Sequence, residues 1–195
     1  MATAISLFAC TTPQATTSTD DATMTTFKEN AKVTTALFEA FANKDLQTWS
    51  SNVSDTLKAH GAGYGLEATI GKEELMKRLE GLHSIVNNIK ANDIQLYPGL
   101  DSVTYKPNGD VRAYVRWTDD GINGAKIEHK YYGVFKFNKD HKMTEADEFM
   151  DISGVIKAEI RKETLSNKGL FYFNSFIFYE VRISQSRGSQ WHQHR

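Results

Sequence analysis

The chain carries one cysteine, Cys10, in 195 residues. That excludes an internal disulfide framework and a zinc site built on several thiolates. Proline is scarce, with three residues, so little interrupts a helix or a strand. No charge of one sign dominates: 23 Lys and Arg stand against 24 Asp and Glu, for a formal net charge of −1. No global field therefore favours nucleic acid or an anionic membrane. RNA binding would need clustered basic residues with exposed aromatics, and here acids are interspersed. No run approaches the roughly 18 apolar residues of a membrane-spanning helix. His-x-His and His-Glu-x-x-His spacings are missing before the tail, so neither a metal nor a cofactor is expected. What is present is a composition 40% hydrophobic, enough for a packed core.

The first 24 residues separate from the rest. "SLFAC" sets Leu7 three residues before Cys10 and Ala9 directly before it. This resembles the lipobox of bacterial lipoproteins, which implies lipidation at Cys10 and anchoring on the periplasmic side of the cell envelope. The apolar stretch before it is short and has no basic flank, so that reading expects a start upstream of Met1. The alternative is an N-terminal extension with an incidental thiol, on a cytoplasmic protein. The Thr/Ser/Asp-rich residues that follow have no hydrophobic period and suit a tether.

Residues 25–156 read as one domain. Thr25 and Thr26 suit N-cap positions, and Val33, Leu37, Phe38 and Phe41 recur at helical spacing. Asp45 can cap a short second helix carrying Trp49. "DTLKAH" reads as a strand running into the glycine-rich "GAGYG". In "GKEELMKRLEGLHSIVNNI", Leu75, Leu79, Leu82, Val86 and Ile89 form one stripe, with Glu73 and Glu74 at the positive end. The period then changes to two. "NDIQLYP", "DSVTY", "VRAYVRWT", "KIEHKYYGVFKF" and "MTEADEFMDI" read as consecutive antiparallel strands, with "KPNGD", "DDGING" and "NKDHK" as turns. Helices first and a meander after them predict an α+β fold, a curved sheet with helices on one face. Residues 157–195 are a C-terminal extension. Its "LFYFNSFIFYEVRI" is dense in aromatics and reads as an extra strand, as a dimer or membrane-surface patch, or as unselected sequence.

The order helix, helix, strand, helix, then long antiparallel strands resembles the nuclear transport factor 2-like superfamily, in particular its SnoaL-like and ketosteroid isomerase-like members. The resemblance rests on "ALFEAFANKDLQTWSSNVSDTLKAHG", "IGKEELMKRLEGL" and "YYGVFKFNKDHKMTEADEFMD". It implies a cone-shaped half-barrel around a deep apolar pocket, the helices on the concave side, and pairing of two copies through the outer sheet face. It points Ala113, Val115 and Trp117 inward, then Ile127, His129, Tyr131, Gly133 and Phe135, then Ala146, Glu148 and Met150. His60 and Tyr64 would lie near the mouth, as a gate or as a plain turn. Both signature acids of ketosteroid isomerase are missing: the region after the first strand reads Lys58-Ala59-His60, and the other position falls near Gly133. Steroid isomerisation by that mechanism is therefore not expected.

An imidazole and a phenol on an otherwise apolar strand face carry the chemistry. His129, Glu148 and Tyr131 are the candidate catalytic group, with His129 and Glu148 sharing a proton. Trp117, His60, Tyr64, Val115, Phe135 and Met150 are the candidate ligand contacts. The expected partner is a small apolar or aromatic molecule, bound without chemistry or turned over by an acid–base isomerase, dehydratase or cyclase. An interaction module whose pocket is only core is the remaining alternative.

Overall fold

A computed structural model describes residues 19–61, 69–122 and 124–151. Cys10, Tyr64 and residues 157–195 lie outside the described residues, and with them the lipobox and the aromatic segment. Helix α1 (Thr19–Ala42) leads into α2 (Leu46–Ser51) and β1 (Val53–Gly61). Then come α3 (Lys72–Ile85), β2 (Val86–Leu100), β3 (Pro107–Gly121), β4 (Lys126–Phe137) and β5 (Met143–Met150). The sheet order is β1-β5-β4-β3-β2, with β1 parallel to β5 and every other pair antiparallel. The sheet curves without closing, as the α+β half-barrel reading requires. Among the described residues no helix is long and apolar enough to cross a membrane.

Alternation in β3 and β4 decides which face is packed. Val111, Ala113, Val115 and Trp117 are buried, as are Ile127, Tyr131 and Phe135. Helix α1 lies across them. The Phe38 ring meets Trp117, Tyr131 and Phe135 edge-on at centroid distances of 5.6, 6.1 and 6.0 Å. Such contacts add to area burial, so removing this ring in Phe38→Ala would cost about 3–5 kcal/mol.

Polar side chains fix the joints. Asp45 caps α2 by accepting from the Thr48 N–H at 2.9 Å. Lys44, in the left-handed region at φ 58°, sends its ammonium to the end of α3. There Nζ donates to the carbonyls of His83 at 2.7 Å and Val86 at 2.6 Å. The buried Asn30 of α1 donates to the Gly109 carbonyl of β3 at 2.8 Å. Its own Oδ1 lies 2.6 Å from His141 Nδ1, in the turn before β5.

Four local expectations are corrected. Helix α1 begins at Thr19, and Thr26 lies inside it with its hydroxyl donating back to the Ala22 carbonyl at 3.1 Å. The α3 helix stops at Ile85, so Val86 and Ile89 belong to β2 and are buried from there. "DSVTY" is a turn, held by Asp101 Oδ1, which accepts from the N–H groups of Val103 and Thr104. The turn closes by the Asp101 N–H to Lys106 carbonyl bond, and Asn108-Gly109 falls within β3, with Gly109 at φ 86°.

Candidate functional site

A cavity of about 130 Å³ lies between the inward sheet face, α1 and α3. Phe38 and Phe41 of α1, Leu79 and Leu82 of α3, and Trp117 and Phe135 of the sheet make most of its wall apolar. Thr34 also lines it, but its hydroxyl is spent on the Asn30 carbonyl at 2.9 Å. Four titratable side chains line the cavity: Asp119, His129, Tyr131 and Glu148.

Tyr131 and Glu148 are bonded to each other. The Tyr131 hydroxyl donates to Glu148 Oε1 at 2.8 Å. The register sets Glu148 opposite Gly133, two residues from Tyr131 on the same face of β4. Burial pushes the Glu148 carboxyl above the usual carboxylate range, and the tyrosine hydrogen bond works against that shift. Burial, then the neighbouring carboxylate, raise the Tyr131 phenol well above its ordinary value, so it stays a donor.

His129 stands apart from this pair. It is opposite Trp117 on β3 and four residues along β4 from Gly133, about 13 Å at the usual strand rise. The expected direct proton sharing between His129 and Glu148 is therefore not made: Tyr131 is the partner that Glu148 has. His129 Nδ1 is buried without a partner among the described residues, and burial lowers the imidazole pKa below its ordinary value.

Asp119 was not expected here. It is only 8% exposed, lines the cavity, and has Oδ1 buried without a partner. Burial, with a smaller push from the Asp120 charge, raises its carboxyl to about 6. The parity of β3 could have found it, because Asp119 continues the inward series of Ala113, Val115 and Trp117.

The expected ligand contacts divide. Trp117, Phe135 and Met150 line the cavity, with Met150 at its more exposed end. Val115 is buried in the core but is not on the cavity wall. His60 turns the other way. On β1 its neighbour Ala59 is buried opposite Ala146, so alternation sends His60 to the outer side, where Nδ1 meets Thr69 Oγ1 at 3.1 Å.

The outer face carries its own pattern. Tyr97, Tyr114, Tyr132 and Phe149 form a ladder of rings across β2, β3, β4 and β5, at successive centroid distances of 5.9, 4.7 and 5.7 Å. Tyr97, Tyr114 and Phe149 are 49%, 48% and 47% exposed.

No protein-family model and no curated protein matches the chain. Solved structures do. PrhC from Penicillium brasilianum is 12% identical over 77% of this chain and 97% of its own, with a TM-score of 0.59. The BvnE pinacolase from Penicillium brevicompactum is 12% identical over 80% of this chain and 97% of its own, at 0.53. A nuclear transport factor 2-like protein from Burkholderia xenovorans is 16% identical over 68% of this chain and 96% of its own, at 0.52. With identities this low the likeness lies in the backbone, and it gives the chain the nuclear transport factor 2-like fold.

Proposed function

We propose that the chain binds a small, mainly apolar molecule in the cavity between α1, α3 and the sheet. One observation carries this reading: an apolar-walled space of about 130 Å³ has the Tyr131–Glu148 pair in its wall. The volume is close to the ~150 Å³ of an apolar cavity that takes up benzene, so the ligand core is about one ring. Trp117, Phe135 and Met150 border the space and do not fill it, which supports a ligand site over a solid core.

A second reading is acid–base chemistry on the bound molecule. It is favoured by the Glu148 carboxyl, whose raised pKa keeps it closer to a proton-carrying role at neutral pH. Tyr131 would orient that carboxyl, and His129 would address the ligand from farther along β4. One structural neighbour is a pinacolase. Titration of benzene and toluene into the protein, followed by NMR of the Trp117 indole and the Leu79 methyls, tests the cavity. Saturable shifts are expected at these groups, and their absence would remove the binding reading.

The exposed ring ladder supports a homodimer through the outer sheet face. Aromatic side chains are enriched at protein interfaces, and stacked rings present a firm, apolar surface to a second copy.

A further inference from the structure

We infer that Asp119 and His129 form a second polar subsite of this cavity, one that takes a ring edge carrying a hydrogen-bond donor beside an acceptor, as a cyclic amide does. The inference rests on the binding reading above and adds the ligand's chemistry to it. Register places the two side chains together. His129 is opposite Trp117, and Asp119 lies two residues farther on β3, on the same inward face. Diagonal neighbours of this kind are about 7–8 Å apart at Cα, within reach of one bridging group.

Both residues hold an unpaired buried atom. Asp119 Oδ1 and His129 Nδ1 have no partner among the described residues, and both residues line the cavity. Buried polar atoms are nearly always hydrogen-bonded, so two unpaired ones on residues that line one space mark a place for an outside partner. His83 supplies the contrast. Its Nε2 is also unpaired, but His83 stacks on Phe41 at 4.8 Å and does not line the cavity.

The pair is amphoteric. A neutral imidazole nitrogen donates or accepts according to tautomer, and a carboxyl accepts when ionised and donates when protonated. A ligand edge with one donor and one acceptor can satisfy both atoms, whereas a hydrocarbon edge leaves both unpaired. A Tyr131–Glu148 pair that is already bonded to itself makes no such demand.

2-Pyridone and benzene are rings of like size with and without an amide edge, and they serve as probes. The full chain should bind 2-pyridone about tenfold or more tightly than benzene, the margin expected from one good buried hydrogen bond. His129→Phe and Asp119→Leu should bring the two affinities together. Where either fails to fold, His129→Gln and Asp119→Asn alter the donor and acceptor pattern at nearly constant size and should narrow the preference. Benzene binding with no preference for 2-pyridone, or a preference that every variant keeps, would overturn the subsite alone. Failure of both probes to bind would overturn the cavity reading and the subsite with it.

Discussion

The phenol of Tyr131 lies against the backbone of Gly133, so that a Cβ added to Gly133 would stand 2.9 Å from the tyrosine oxygen and 2.5 Å from the tip of the Phe135 ring. Glycine is required at this point by two rings that fold toward it from either side along β4. Gly133→Ala should therefore cost about 1–3 kcal/mol by overpacking. It should also move Tyr131 away from Glu148. Urea denaturation measures the first effect. The second is read as a further rise of the Glu148 pKa by carbon NMR, because the bond that lowers it is weakened.

Asp119 predicts a pH dependence whose sign is opposite to that of a salt-bridged acid. Its carboxyl has a pKa of 3.8 in the unfolded chain and about 6 when folded. Between these values the folded state holds the proton and the unfolded state does not, so stability falls as pH rises. The difference is about 3 kcal/mol at the usual 1.36 kcal/mol per pKa unit. Glu148, also raised, adds to the same fall. His129 and His83 act in the other direction, with folded pKa values below 6.5, so their contribution is lost as pH drops through that range. Asp119→Asn should flatten the stability profile between about pH 4 and 6. An unchanged slope in urea titrations across that range would count against a buried Asp119 carboxyl.

Lys44 is a cap supplied from outside the helix it caps. Its ammonium meets the His83 carbonyl in the last turn of α3, the Val86 carbonyl just past its end, and Asn87 Oδ1. Cations are favoured at that end by the helix dipole. Lys44→Ala should lose about 1.5–3 kcal/mol, the range for hydrogen bonds to a charged group. Lys44→Gly should lose about 1 kcal/mol less, since glycine takes the φ of 58° without strain. Thermal melts of the two variants give the order, and hydrogen exchange at the end of α3 locates the effect.

The ring ladder predicts an oligomer. Sedimentation of the wild-type chain should give a dimer, and Tyr114→Arg or Phe149→Asp should shift it to monomer with the circular dichroism unchanged. Neither ring is buried in the core. A monomeric wild type, or dimers in both variants, would send the interface elsewhere.

Strand parity carried much of the site. Trp117, His129, Tyr131, Phe135, Glu148 and Met150 share, by alternation in β3, β4 and β5, the faces that the fold resemblance implies point inward, and all line one cavity. Two of the misread places share one cause, the β-bulge. Between Asn87 and Lys90 the pairing of β2 slips, with Asn88 at φ 51°. The extra residue sets the buried Val86 and Ile89 three apart, which is also helical spacing, so in the sequence the α3 stripe runs on past Ile85. A second slip between Pro98 and Leu100 places Asn-Gly inside β3 where a hairpin turn was expected. Asp119 was hidden for a related reason. "DDGING" has the residues of a turn, yet β3 runs to Gly121 and carries Asp119 inward. The Tyr131–Glu148 bond needs the diagonal register of β4 on β5, which neither strand states alone.

The two bonds of Asn30 have a kinetic meaning. They tie α1 to residues 79 and 111 positions away, Gly109 and His141. Contacts of such separation carry a loop-closure cost that ordering of the intervening chain removes. The Asn30 latch should thus be absent from the folding transition state and present only in the finished molecule. Its contribution would then fall on the unfolding rate, making Asn30 a brake on opening and a bystander during assembly.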